Sequence, residues 1–174
     1  MSIGSMSRLT AALFLLIAAS TVMAGWISDR FIERGVSVTR VRLTLVVGGM
    51  GIASSLAALA CIRHNLFLSL AVLAVASMGY GIFASSHWAI LQTLAGPDFA
   101  GRWSSLQNGV ANLSGIVAPW TAGLIVQLNG SSRLAFAVTG VVAFVGALAW
   151  LLLVRRVEPV RWEALQPAIA SRPA

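Results

Sequence analysis

The sequence predicts an all-α integral membrane protein with five transmembrane helices, and three observations predict it. Of 174 residues, 58% are hydrophobic and only 10% are charged, whereas about a quarter of the residues of soluble domains are charged. All Asp, Glu and Arg residues fall outside five long apolar stretches. Four of these stretches have close to the roughly twenty residues that cross about 30 Å of hydrocarbon. The predicted spans are 9–25, 43–62, 66–94, 106–128 and 134–154.

The first span admits a second interpretation. Arg8, the apolar run 9–19 and the tripeptide Val22-Met23-Ala24 resemble a secretory signal peptide with a small-residue cleavage site. Cleavage after Ala24 would leave the next, arginine-rich segment outside the cell. That outcome conflicts with the charge distribution across the other connections, so we favour a first span that follows a short outer N-terminus, residues 1–8.

The second span fits the bilayer, but the third stretch, 66–94, is longer than one crossing needs. A span of this length must tilt, protrude or break. The candidate break points are Gly79, Gly81 and the run 85–87. We expect a protruding or bent inner end.

The arginines predict the orientation of all five spans, because cytoplasmic connections collect basic residues. Alternate polar segments carry nine arginines on one side and three on the other. This bias predicts an N-terminus outside the cell and a cytoplasmic tail, residues 155–174. We expect the membrane to be the inner membrane of a bacterium. The nine are Arg30, Arg34, Arg40, Arg42, Arg102, Arg155, Arg156, Arg161 and Arg172; the three are Arg8, Arg63 and Arg133.

Composition also excludes several function classes. The net charge of +7 lies beside membrane spans and not on a polar domain, so we expect no nucleic-acid partner. One cysteine and two histidines form no metal-ligand cluster, so no metal and no cofactor is predicted. Nothing resembles a nucleophilic triad or a carboxylate pair, so we expect no enzyme.

A charged motif follows the first span, in what we predict to be an inner loop. It reads Gly25-Trp26-Ile27-Ser28-Asp29-Arg30-Phe31-Ile32-Glu33-Arg34-Gly35. Gly25 would allow a close helix approach, Asp29 could face a helix N-terminus, and Arg30 and Arg34 could pair with acids or lipid phosphate. An ordinary solvated loop is the alternative. The motif resembles the inner-loop signature of the major facilitator superfamily, in which it would act as a gate between two rocking halves.

Four further segments are similar to the carboxyl-terminal half of anion:cation symporters within that superfamily: 88–97, 101–108, 112–119 and 155–162. The resemblance implies that the five spans correspond to the eighth to twelfth helices of a twelve-helix transporter, a partial carboxyl-terminal bundle. We therefore expect a carboxyl-terminal fragment, or a product truncated at its start. The substrate it implies is a small organic anion, such as a carboxylate or sugar acid, coupled to protons or sodium.

Polar residues inside spans are the candidate substrate ligands, because transporters of this kind bind near the bilayer midplane. In the fourth span Asn108 and Asn112 share a face with small residues. That face could line a substrate cavity or form a packing seam between helices. In the third span the resemblance implies that Ser85, Ser86 and Trp88 contribute to the substrate pocket together with Asn108.

His87 is the only residue within a span that titrates near neutral pH. It could relay a proton, but a neutral ring bonded to a neighbouring helix is favoured. Since no span contains an acid, a coupling carboxylate would come from the missing amino-terminal half. The leading hypothesis is therefore part of a symporter that needs this half. The alternative is a five-span membrane interaction or regulatory protein that binds another membrane protein and transports nothing itself.

Overall fold

The protein is described by a computed structural model over residues 3–62 and 65–160. In this part of the chain the regular structure is helical, without β-strands. The helices are α1 (Ile3–Glu33), α2 (Val38–Ala53), a 3₁₀ helix (Ser54–Ala60) that continues α2, α3 (Leu66–Asn129) and α4 (Arg133–Leu153). Within residues 3–62 and 65–160, four helical segments, with α2 and the 3₁₀ turn taken together, are long and apolar enough to cross a membrane. The predicted all-α fold with long apolar helices is thus confirmed over these residues, with four such segments where the sequence predicts five spans.

The difference in number lies in α3. Its 64 residues would measure about 96 Å if straight, about three bilayer thicknesses. Gly96 interrupts the helix with φ 72° and ψ 172°, a conformation that glycine adopts without a Cβ clash. Pro97 then starts the next turn, where its missing N–H is no loss. The sequence predicts a polar connection here, and the structure has a break at a single residue instead. The candidate break points Gly79, Gly81 and the run 85–87 all stay helical.

The chain reverses direction at this break. His87 Nε2 and Gln107 Nε2 lie 2.8 Å apart, although residues this far apart in sequence would be separated by about 30 Å along a straight helix. α3 is therefore a hairpin. We call residues 66–95 its first arm and residues 97–129 its second arm.

α1 extends beyond both ends of the predicted first span and includes most of the charged motif. Gly25 through Glu33 are helical, so the prediction of a loop at these positions is wrong. The helix ends at Glu33, and Gly35, with φ 86°, terminates it. There the Gly35 N–H donates to the Ile32 carbonyl at 2.9 Å and the Val36 N–H donates to the Phe31 carbonyl at 3.1 Å, which is a Schellman termination.

Interhelical contacts define one end of the bundle. The Val157 N–H donates to Thr39 Oγ1 at 3.0 Å, and the Val160 N–H donates to the Leu94 carbonyl at 2.9 Å. The start of α2, the end of the first arm and the segment after α4 therefore meet at this end, which we call the arginine-rich end. Its described arginines are Arg30, Arg34, Arg40, Arg42, Arg102, Arg155 and Arg156, and Arg8 and Arg133 lie toward the opposite end. Arg63, Arg161 and Arg172 fall outside the described residues.

The first arm packs tightly against α1 and α2 through small residues, as helices in membranes commonly do. A Cβ added to Gly79 would lie 2.7 Å from the Gly49 carbonyl oxygen, and one added to Gly81 would lie 2.5 Å from the Ile17 carbonyl oxygen. Val46 and Ile90 are fully buried between these helices. These close approaches make α1, α2 and the first arm one packed three-helix unit.

Candidate functional site

The first arm presents different residues to different neighbours. Ser85 faces α1, because its Oγ would lie 3.2 Å from a Cβ added to Gly25. Ile90 faces α2, where it packs in one cluster with Val46. Trp88 remains 40% exposed and Gln92 is exposed as well. One side of this arm is therefore uncovered and could face a substrate.

The two candidate serines are placed differently. Ser85 is half-buried at the contact with α1, less than one turn from Trp88. Ser86 is only 2% exposed, and its Oγ has no hydrogen-bond partner among the described residues. Because Ser86 lies one turn before Ile90, it points toward the packed interior. The structure brings Ser85 close to the exposed side of Trp88 but does not bring Ser86 there.

The candidate asparagines lie on the second arm, where every residue from 108 to 121 is exposed. Asn112 Nδ2 donates to the Asn108 carbonyl at 2.8 Å, so part of its hydrogen-bonding capacity is used within its own helix. Asn108 lies one residue after Gln107, which contacts the first arm. Asn108 is therefore the candidate asparagine nearer to the junction of the two arms.

A cluster of polar and aromatic side chains joins the two arms to α4. His87 Nε2 contacts Gln107 Nε2 at 2.8 Å. The His87 ring centroid also lies 4.9 Å from that of Phe83, 5.8 Å from that of Trp88 and 5.6 Å from that of Trp150. The sequence drew attention to His87 but not to its contact with Gln107, since a contact across a hairpin has no signature in local spacing.

The residues of the charged motif cover the arginine-rich end of α1. Gly25 contacts the first arm as described, and the Arg30 guanidinium lies 5.1 Å from the centroid of the Trp26 ring, within cation–π range. Asp29 and Arg34 are exposed. A partner for Asp29 at a helix N-terminus stays a prediction.

Arg42 was counted in the sequence only as a topological charge, but it has a structural contact. Its Nη1 donates to the Ala89 carbonyl at 3.1 Å and also contacts Thr93 Oγ1. α2 is thereby attached to the last turns of the first arm, shortly before the break at Gly96. A basic residue near a span end carries no sequence signal for such a bridge.

A groove of about 570 Å³ separates the second arm from α4. Small and aliphatic side chains line it, together with three hydroxyls, those of Ser114, Thr121 and Thr139. The lining residues are Leu113, Ser114, Val117, Ala118, Thr121, Ala122, Ile125, Ala135, Val138, Thr139 and Val142. Over the described residues, no three His, Cys, Asp or Glu side chains come together as a metal site would require.

Comparison with known families decides the class of this bundle. Residues 1–170 match the family model described as Major Facilitator Superfamily. The chain belongs to the major facilitator superfamily. The resemblance found in the inner-loop motif and the later segments is thus confirmed at the level of the superfamily, and with it the expectation that the chain is no enzyme.

Similar superfamily members are transporters. The D-galactonate transporter of Escherichia coli O6:H1 is 28% identical over 152 residues, which cover 87% of this chain and 35% of the relative. The voltage-gated purine nucleotide uniporter SLC17A9 of Rattus norvegicus is 31% identical over 141 residues, 80% of this chain and 31% of the relative. The probable galactarate/D-glucarate transporter GudP of Escherichia coli K12 is 33% identical over 140 residues, 80% of this chain and 30% of the relative. The chain thus spans about a third of the length of these relatives.

Proposed function

We propose that this chain forms part of the carboxyl-terminal half of a secondary transporter for a small organic anion, such as a carboxylate or sugar acid. The observation that carries the proposal is the match of 80–87% of the chain to transporters of galactonate and of galactarate or glucarate. These relatives are about three times longer than the match. Transport therefore requires an amino-terminal part in addition to the helices described here.

The structure supports a substrate surface made by the hairpin of α3. Trp88 and Asn108 lie one residue after His87 and Gln107, which meet across the two arms, and both are exposed. An indole offers a flat apolar wall and an amide offers a donor and an acceptor, a combination suited to a hydroxylated carboxylate. Ser85 adds a hydroxyl beside them. We assign Asn112 and Ser86 a smaller part, because one is bonded within its helix and the other is buried.

We propose five membrane crossings, with each arm of α3 counted as one. The arginine-rich end then faces the cytoplasm of a bacterial cell, by the preference of cytoplasmic connections for basic residues. Energy coupling is proposed as symport with protons or sodium. Since the predicted spans contain no Asp or Glu, any coupling carboxylate within the membrane would come from the amino-terminal part.

The orientation can be tested with two cysteines at opposite ends of the bundle. Ser37→Cys lies between α1 and α2, and Ser132→Cys lies between α3 and α4, both exposed. The single native Cys61, also exposed, is first replaced by serine. A membrane-impermeant maleimide added to intact spheroplasts should label Ser132→Cys and label Ser37→Cys only after the membrane is opened. Labelling of Ser37→Cys in intact cells would contradict the orientation.

Transport itself is tested in vesicles with radiolabelled galactonate and glucarate. The chain is co-expressed with the amino-terminal part of a related galactonate transporter, and each part alone is the control. We expect uptake above background only when both are present, with a further rise under an inward proton or sodium gradient. Uptake by the chain alone would contradict the need for a second part.

The exposure of the second arm also favours a second candidate, a membrane interaction protein without transport of its own. Ile116 and Trp120 are 72% and 67% exposed, and the groove beside α4 is open. A full-length transporter that co-purifies reproducibly with the chain, and whose uptake changes when the chain is removed, would support this function over the first.

A further inference from the structure

The contact between His87 and Gln107 crosses the hairpin of α3 and needs an explanation beyond stability. The amide nitrogen can only donate, so the ring accepts at Nε2, and the two nitrogens lie 2.8 Å apart. The remaining polar atoms, His87 Nδ1 and Gln107 Oε1, are buried without a partner among the described residues. A buried polar pair that leaves one atom unpaired on each side gives little net stabilisation.

Such pairs are better known for selecting one alignment of two helices over another. The surroundings here suit that role. Phe83, Trp88 and Trp150 are in ring contact with the imidazole, so a slip of one arm by a turn would move Gln107 away from the one polar atom that it meets. An apolar contact would tolerate the same slip far better, because aliphatic side chains are interchangeable in packing.

The alignment of the arms matters for the residues that follow the pair. Because the arms run in opposite directions, a step of one residue on each moves Trp88 and Asn108 apart by only about 3 Å along the hairpin. The bond therefore holds both side chains within one helical turn of each other. A slip by one turn would bring Trp88 level with a different set of residues, Asn112 among them.

We propose that His87 and Gln107 are positioning residues that fix the register of the two arms of α3 and so keep Trp88 and Asn108 at one level. The register is inferred from the contacts of His87 and Gln107 alone. Its role in substrate recognition rests on the proposed function. Neither residue needs to touch the substrate.

The test compares cross-linking yields between cysteine pairs in membranes, with Cys61 replaced by serine. One pair is Trp88→Cys with Asn108→Cys, and the other is Trp88→Cys with Asn112→Cys, each joined by a short bifunctional thiosulfonate. With His87 and Gln107 intact the first pair should give the higher yield. Gln107→Met, which conserves volume, should lower the ratio of first to second yield about threefold, the factor expected for one interhelical hydrogen bond in a bilayer.

Two further variants separate register from stability. Thr21→Val removes a different interhelical bond, from Thr21 Oγ1 to the Gly81 carbonyl, and should leave the ratio unchanged. The exchange His87→Gln with Gln107→His restores a bonded pair and should restore the ratio. Where Gln107→Met fails to accumulate, Gln107→Asn replaces it and is scored by the same ratio.

The proposal is overturned by an unchanged ratio in the Gln107 variant, by an equal fall of both yields, or by a higher yield of the Asn112 pair in the unmodified background. Cross-linking uses neither substrate nor the amino-terminal part. A failure of the transport experiment would therefore leave this result intact, and a failure here would leave transport untouched.

Discussion

The two arms of α3 have similar apolar sequences but opposite environments. The first arm lies against α1 and α2 with backbone-to-backbone approaches at Gly79 and Gly81. On the second arm, Gly109, Gly115 and Gly123 have no atom within 4 Å of an added Cβ. Because lipid tails are as apolar as a protein interior, burying an apolar side chain between helices gains little free energy in a membrane. Close packing through small residues therefore decides whether a helix is held by its neighbours. The first arm serves as a scaffold, and the second arm offers surface to something else.

Glycine substitutions should give the largest contrast between the arms. Gly79→Val places atoms against the Ala53 nitrogen, 2.6 Å from the added Cβ, and backbone cannot move aside cheaply. We expect a loss of about 3 kcal/mol in the free energy of unfolding, measured by titration with sodium dodecyl sulfate in mixed micelles. The matched variant Gly115→Val should change it by no more than about 0.5 kcal/mol.

Equal effects at Gly79 and Gly115 would show that the second arm is packed as closely as the first. The distinction between scaffold and free surface would then be lost. An effect at Gly115 that appears only when an amino-terminal part is present would instead sharpen it, because the partner would cover that surface.

The segment after α4 should behave as part of the packed region. Val157 is only 4% exposed and packs with Val46 and Ile90. Val157→Ala removes two methyl groups from this contact and should cost about 1.6 kcal/mol in the same titration. Val145→Ala, at a site 56% exposed, is the control and should have almost no effect. A loss at Val145 as large as that at Val157 would mean that α4 is covered on both sides.

On the second arm the expected effect is on transport and not on stability. Asn108→Ala should lower uptake about tenfold when the amino-terminal part is supplied, since it removes a hydrogen bond to a charged substrate. Asn112→Ala should lower it less than about twofold, because the Asn112 amide already donates to the Asn108 carbonyl at 2.8 Å. Initial uptake rates in vesicles decide this, with surface amounts equalised. The reverse order would place the substrate nearer to Asn112.

The sequence alone predicted the features that arise because apolar residues are placed in lipid and charged residues in water. The absence of charge within five stretches predicted apolar helices, and the arginine count predicted a basic end, which the contacts of Val157 and Val160 bring together. The length of 66–94 predicted a protruding or bent inner end, with possible breaks at Gly79, Gly81 or 85–87; these positions are helical, and the break lies at Gly96, within the predicted connection. Local pattern indicates how long a helix can be, and a glycine followed by a proline indicates where it can turn.

The features missed are those that depend on tertiary contact. Gln107 is one amide among several on its helix, and nothing in its spacing says that it meets His87. From the sequence Arg42 is only a basic residue near a span end, because its hydrogen bond to the Ala89 carbonyl of α3 forms only in the folded bundle. The helical state of Asp29 and Arg30 was missed because charge suggested a loop, whereas the termination is set by the positive φ of Gly35. Candidate residues could therefore be named from the sequence, but it could not be predicted that Ser86 is buried and Trp88 is exposed.

The smallest expected effect concerns a single hydrogen bond between α1 and the first arm. Thr21 Oγ1 donates to the Gly81 carbonyl at 3.1 Å and also to the Ile17 carbonyl at 2.8 Å. Thr21→Val keeps the shape and removes both bonds, so it should cost about 0.6 kcal/mol, the average for an interhelical bond in a membrane protein. Thr139→Val is the matched control, because its hydroxyl donates only to Ala135 within α4, at 2.9 Å. If both variants lose the same amount in the titration, the bond within the helix accounts for the effect, and the first arm is held to α1 by the close glycine contact alone.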